Sequence, residues 1–268
     1  MIWKKDFENI NYLVETAVKE FYEKLRKTSD YLVFLANGDY VQENEGTKIS
    51  PYVIENKTDG FKDKAWLQVL MTFLNSKYNF TNENTSDSIE NIFYETMLYI
   101  HVWESRPFLR FLKRASNLIK NDEYLWKLII KDKNKSVFLE QKILPILEKK
   151  ELKISTIIKE SYIKQIRDAI AHNEYWHNWS KPQLIFENYK YNPNRINEIH
   201  YNDWTVIFSK TFLLAYHLRN YFEIEKNNLD DELCKNGFKV KLMKKNGEKG
   251  EGLIFYNKAT NKFSGRLI

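Results

Sequence analysis

With one cysteine in 268 residues, Cys234, the chain has no internal disulfide and its fold rests on packing without covalent cross-links. A lone thiol suits a reducing compartment, and a cytoplasmic location is expected. Five prolines and eight glycines are few for this length, which argues against a turn-rich all-β architecture and for long helices. No uninterrupted apolar run approaches a membrane span: the nearest, WTVIFSKTFLLAYHL from Trp204, is short and broken by Lys210, so it reads as a core helix. The N-terminal MIWKKDFENINYL lacks the basic segment, apolar run and small-residue cleavage site of a secretory leader. Internal repeats and low-complexity tracts are missing. So are Gly-rich nucleotide loops, the G-x-S-x-G of serine hydrolases, and CxxC or HxxEH-like metal patterns. No cofactor and no metal are expected.

What is present is apolar mass. Hydrophobic residues make up 43% of the chain and aromatics 15%, enough to bury a core and too much for disorder. The net charge of +6 is unevenly placed: Lys235 to Ile268 holds nine basic and two acidic residues, leaving the remainder close to neutral. Such a tail either solvates a surface or attracts phosphate backbones or acidic partners.

Periodicity predicts a mainly α fold. Segment 3–27 carries Phe7, Ile10, Val14, Val18, Phe21 and Leu25 on one helical face. Residues 30–60, with YLVFL and the turn signals NGDY and DG, read as loop with a strand. Helices are expected at 63–78 and from Asp87, where Asp87 and Glu90 resemble a capping box and Ile89, Phe93, Met97 and Ile100 form the apolar stripe. Pro107 is expected to kink or restart that helix. Further helices are placed at 122–131, 136–149, 152–172 and 203–226. A hairpin of QLIFENY and INEIHY falls between the last two, and a three-stranded meander of KVKLM, GLIFY and KFSGRLI closes the chain. The expected organisation is a helical domain over 1–234 and a basic β-meander over 235–268 packed on it.

Two arginine–histidine pairs share a five-residue spacing, Arg195–His200 and Arg167–His172. The first lies on the hairpin, where positions five apart point to opposite faces. The second lies on a helix with the apolar stripe Ile158, Tyr162, Ile163, Ile166, Ala169 and Ile170, and is separated by about 140° around the axis. Two arrangements would bring its members into use. Either the helix unwinds at Asn173, so that His172 turns off the helical direction, or each residue meets a partner from a second copy of the chain. The simpler reading makes Arg167 and Asp168 a solvated face and His172 a cap on the helix carbonyls.

The stretch IRDAIAHNEYW, Ile166 to Trp176, resembles the R-x4-6-H signature of HEPN domains, helical proteins common among prokaryotic ribonucleases of toxin–antitoxin, abortive-infection and other defence systems. It matches in more than spacing. A polar residue, Asp168, follows the arginine, and Ala169, Ile170 and Ala171 precede the histidine. The helical body around the stretch fits as well, whereas the first 80 residues have no counterpart and the hairpin and β tail are additions. The resemblance implies a HEPN-like helical bundle and a metal-independent endoribonuclease. His172 would be its acid/base and Arg167 its phosphate clamp, with Asp168 and Asn173 orienting them. It also implies a homodimer with the motif at its interface, and an antitoxin or larger defence complex as a possible partner. The alternative is a non-catalytic HEPN-like dimeric module that binds a nucleotide, RNA or a protein. The chemistry is consistent with these residues: histidine titrates near neutrality and arginine offers a planar fork to phosphate oxygens. An unpaired Asp168 would oppose a phosphate, an objection removed if it pairs with Arg167 of the other subunit.

Three further features bear on the site. Glu104 lies on the apolar stripe of its helix and needs a partner; His101, Arg106 and Arg110 are near in sequence, and a supporting role beside the active site is the sharper alternative. Tyr175, Trp176 and Trp179 either close the core or stack RNA bases. His172 and His177 are five apart, one more than the usual helical metal pair.

Overall fold

The amphipathic start of the chain forms helix α1 (Lys4–Leu25), burying Ile10, Val14, Val18, Phe21 and Leu25 as the spacing predicts. The computed structural model describes residues 2–40, 52–53, 68–69, 71–73, 75–80, 82–85, 88–131, 135–178, 180–187, 195–243 and 248–268. These form a mainly helical chain with two small antiparallel three-stranded sheets. The chain divides into two compact units of interleaved segments: Met1–Phe21, Ala65–Leu109 and Glu151–Leu218 in one, Tyr22–Lys64, Arg110–Lys150 and Arg219–Ile268 in the other.

The first unit is built around α4 (Ile89–Glu104), α8 (Lys153–Ser161), α9 (Lys164–Ala171) and the first five turns of α10 (Tyr201–Asn227), with the helical residues 68–69, 71–73 and 75–77 as α3. The N-cap of α4 is Ser88, whose hydroxyl accepts the Asn91 N–H at 3.2 Å; Asp87, the expected cap, lies outside the described residues. The apolar stripe of α4 is also not the expected one. Phe93 and Met97 are 47% and 43% exposed, while Ile92, Glu95, Leu98, Tyr99, Val102 and Trp103 are buried. The helix is apolar on more than one side, and the larger rings decide: Tyr99 packs on Trp204, and Trp103 on Tyr162 and Phe108. Burial of each such ring contributes about 3 kcal/mol, more than a Met or Ile on the other face. Glu95 can face inward because Lys77 Nζ and Tyr78 OH donate to it at 2.6 and 2.8 Å.

Helix α4 stops at Glu104 and α5 (Arg106–Ile119) restarts one residue later, with Pro107 in its first turn. The expected helix over 152–172 is broken: Tyr162 adopts φ −95°, ψ 100°, and the Ile163 N–H, lost to the helix ladder, donates to the Tyr99 hydroxyl at 3.2 Å. The sheet after α9 has three strands, β3 (Tyr175–Asn178), β4 (Gln183–Phe186) and β5 (Glu198–His200). The expected hairpin is β4–β5, and β3 is an addition to it; residues 188–194 lie outside the described residues.

In the second unit, YLVFL, within the stretch read as loop with a strand, forms a short helix, α2 (Tyr31–Leu35), with Val33, Phe34 and Leu35 buried. A continuous apolar run fits either state, and the packing of Phe34 on Phe111 and Phe222 favours the helix. A minimal ladder pairs β1 (Asp39–Tyr40) with β2 (Tyr52–Val53). No helix forms at 122–131. The Asn117 amide donates to Glu123 O, Arg114 Nε to Leu125 O, and the Asp30 carboxylate accepts the Tyr124 N–H, so side chains take the groups a helix would have paired. The 136–149 region consists of α6 (Lys135–Phe138), a π-turn over Leu139–Ile143 and α7 (Leu144–Lys149). After α11 (Asp231–Asn236), the meander β6 (Phe238–Met243), β7 (Lys249–Asn257) and β8 (Lys262–Leu267) forms in the order β6–β7–β8. At its inner face the ammonium of Lys226, from the end of α10, lies over the rings of Tyr256 and Phe263, 5.8 Å from each centroid.

Among the described residues no helix is long and apolar enough to cross a membrane.

Candidate active site at the end of α9

The sequence KQIRDAIAHNE ends a helix by its own chemistry. Asn173 adopts φ 57°, a conformation asparagine tolerates better than most residues. The chain then closes a Schellman motif: Asn173 N–H donates to Ile170 O at 3.2 Å and Glu174 N–H to Ala169 O at 2.8 Å. His172 is the C-cap, at φ −101°, ψ 5°, and its N–H still reaches Asp168 O at 3.0 Å. The main chain therefore satisfies the carbonyls of Asp168, Ala169 and Ile170. The His172 side chain is exposed and, among the described residues, makes no hydrogen bond. It is not a carbonyl cap.

Arg167 is held on the other side of the helix. Its side chain is 12% exposed and reaches two carboxylates, Nη1 to Asp168 Oδ1 at 2.5 Å and Nη2 to Glu104 Oε1, while its buried Nε has no hydrogen-bond partner among the described residues. Glu104 thus finds a partner 63 positions along the chain, in Arg167. Asp168 pairs with the arginine of its own chain, so its charge is balanced without a second subunit. Both contacts are charge-assisted, and together they fix the plane of the guanidinium at the junction of α4 and α9.

The strand that follows carries two more polar side chains. Thr96 Oγ1 donates to Phe93 O at 2.7 Å, so at its 3.1 Å contact with Tyr175 the tyrosine hydroxyl is the donor. Tyr175 is therefore anchored to α4 by its hydroxyl, which ties the chain beyond the motif to the helix that supplies Glu104. His177, two residues on, faces the same side: its ring lies 6.1 Å from that of Tyr175 and its Nδ1 is 2.8 Å from the Tyr201 hydroxyl. Desolvation lowers the His177 pKa from its ordinary value and raises that of Tyr201. The Nε2 atom of His177 is buried and has no hydrogen-bond partner among the described residues. The sequence showed His177 only as a neighbour of His172; its pairing with Tyr201, 24 positions away, had no local signal. Trp176 points out at 46% exposure, and Trp179 lies outside the described residues.

The second arginine–histidine pair is not a site of this kind. His200 is the last residue of β5 and Arg195 precedes the strand, both exposed.

Comparison with protein-family models, with curated proteins and with solved structures finds no match. The arrangement must be read on its own geometry. It offers a planar guanidinium held in place on one side of α9, and on the other side of the same helix end an exposed histidine that makes no hydrogen bond among the described residues.

Proposed function

We propose that the end of α9 is the centre of a metal-independent, HEPN-type endoribonuclease acting in defence or growth arrest. The observation that carries this reading is the division of labour at the helix end, where the main chain caps α9 and leaves His172 exposed and unengaged, while Glu104 and Asp168 hold Arg167. In the reaction the ribose 2′-oxygen attacks the adjacent phosphorus. Its proton passes to a base, the P–O5′ bond breaks, and the departing oxygen takes a proton from an acid, leaving a 2′,3′-cyclic phosphate. His172 is the proton-transfer group and Arg167 balances charge on the phosphorane oxygens. One histidine serves one transfer at a time, so a homodimer that brings two copies of the motif together supplies both. The exposed Phe93, Tyr94 and Met97 on α4, the helix that ends in Glu104, are the apolar surface that favours such pairing.

One observation favours a second reading, a non-catalytic module of the same type that binds a nucleotide, RNA or protein: both arms of the Arg167 fork already hold carboxylates, which a phosphate must displace.

The test is total RNA incubated with wild type and His172→Ala, with and without chelator. The ribonuclease reading expects cleavage by wild type that survives chelation, 2′,3′-cyclic phosphate ends, and a loss of about 10²- to 10⁴-fold in the variant. Cleavage abolished by chelator, or unchanged in His172→Ala, sinks it. A wild-type protein that dimerises and leaves varied RNAs intact selects the second reading.

A further inference from the structure

The meander at the end of the chain has two chemically different faces. Register places Phe238, Leu242, Ile254, Tyr256 and Phe263 on the inner, buried face, packed with the end of α10. The alternate residues form an outer face, and there the basic tail of the sequence becomes a surface. Lys239 stands opposite Leu253, and Leu253 opposite Arg266, so one row across the three strands reads basic, apolar, basic. In the next rows Phe255 faces Ser264, and Asn257 faces Lys262. Lys239, Lys241, Lys262 and Arg266 are exposed, and Leu253 and Phe255 are part-buried between them.

Among the described residues, carboxylates balance part of this face. Glu251 lies opposite Lys241, Glu123 forms an ion pair with Lys249 and also feels the charge of Lys241, and Asp231 pairs with Lys258 at 2.7 Å. Lys239, Lys262 and Arg266 have no carboxylate partner among the described residues. Arg266 moreover lies over a ring: its guanidinium carbon is 5.4 Å from the centroid of the Phe255 ring. That ring is itself confined by Gly237, at φ 83°, where a Cβ would stand 2.8 Å from its edge. A guanidinium placed over a ring keeps donors for phosphate oxygens and a face for a base.

We propose that the outer face of β6–β7–β8 binds single-stranded nucleic acid, with Lys239, Lys262 and Arg266 on the phosphates and the Leu253–Phe255–Arg266 platform under unpaired bases. Duplexes present phosphates and groove edges, and would leave the central apolar pair without a partner; unpaired bases cover it. The face belongs to a different compact unit from Arg167 and His172, and its binding does not depend on whether the α9 end cuts RNA.

The experiment is fluorescence anisotropy of labelled single-stranded RNA, single-stranded DNA and duplex RNA against the full chain over a salt series. It is run in a His172→Ala background with chelator so that the probes stay intact. Single strands are expected to bind more tightly than the duplex. The Lys239→Gln, Lys262→Gln, Arg266→Gln triple variant should lose at least about tenfold in affinity and flatten the log–log salt slope by about 2, three contacts at roughly 0.7 each. These three side chains are exposed, so an unchanged thermal transition is expected to accompany the loss. Phe255→Leu, which removes the ring under Arg266 and keeps an apolar residue, should weaken binding severalfold with little change in slope. Tighter binding of RNA than DNA assigns the face to RNA, and equal binding assigns it to single strands of either sugar. Affinity and slope unchanged in the triple variant, preference for the duplex, or binding to phosphatidylserine-containing vesicles without binding to single strands would overturn the proposal.

Discussion

The Arg167 guanidinium joins Glu104, the last residue of α4, to Asp168, its own neighbour on α9. One arm of the fork closes a contact within the helix, and the other ties two helices together. Because Arg167 is 12% and Glu104 25% exposed, the pair is neither a surface ion pair nor a fully buried one. Its coupling energy in a double-mutant cycle of Arg167→Gln and Glu104→Gln should be about 1–2 kcal/mol, between the exposed and buried ranges. Urea denaturation of the four proteins measures it. A coupling near zero would mean that the contact does not hold Arg167 in place, and Glu104 would lose its role as a positioning residue.

Residue 173 separates a structural from a chemical requirement. At φ 57°, Asn173→Val should cost about 1–2 kcal/mol, because a β-branched residue is strained in the left-handed region, whereas Asn173→Gly should be near neutral. If the side chain also orients substrate, Asn173→Gly keeps the melting transition and still loses RNA cleavage. Equal cleavage by Asn173→Gly and wild type would reduce Asn173 to a helix terminator.

How much of this was legible in the sequence depends on the range of the interaction. The stripe of α1, the restart at Pro107, the end of α9 at Asn173 and the closing meander are written in local spacing, and they stand as the pattern predicts. The isolated carboxylate Glu104 was visible as a residue in need of a partner, but Arg167 is far along the chain and three basic side chains lay nearer. Residues 122–131 have helical composition, yet Arg114, Asn117 and Asp30 take their backbone groups, and no local pattern shows that competition. On α4 two apolar stripes competed. Bulky Tyr99 and Trp103 were buried in preference to Phe93 and Met97, a choice made by rings on other elements.

The Lys77–Glu95 pair illustrates the same point for a charge inside a core. Both side chains are almost wholly buried, and burial raises the Glu95 pKa against the lowering effect of Lys77. Removing one partner breaks a buried ion pair, so Glu95→Leu should destabilise the protein by about 3–5 kcal/mol. The double variant Lys77→Met, Glu95→Leu should recover most of that loss, although Tyr78 then loses its acceptor. Chemical denaturation of the single and double variants checks both; a single variant as stable as wild type would show that the pair is dispensable.

A half-buried histidine, His177, and a buried one, His217, set an acid limit on stability. His177 and His217 both have pKa values lowered by desolvation, His177 beside the Tyr201 hydroxyl and His217 with Nε2 at 2.8 Å from Asn11 Oδ1. In the unfolded chain each titrates near its ordinary value of about 6.5, so below that pH the unfolded state binds more protons. Stability should be level above about pH 7 and fall as the pH drops below about 6.5, continuing to the depressed folded-state values. The raised Glu95 works in the opposite direction over an overlapping acid range, since its folded state holds the proton more tightly. The contribution of the histidines is therefore read as a difference: the double variant His177→Gln, His217→Gln should lose less stability than wild type between pH 7.5 and 5.5, in urea titrations at each pH. Parallel curves for the two proteins would mean that neither imidazole is held neutral by the fold, and that the 2.8 Å contact of His177 with Tyr201 does not distinguish the neutral ring from the charged one.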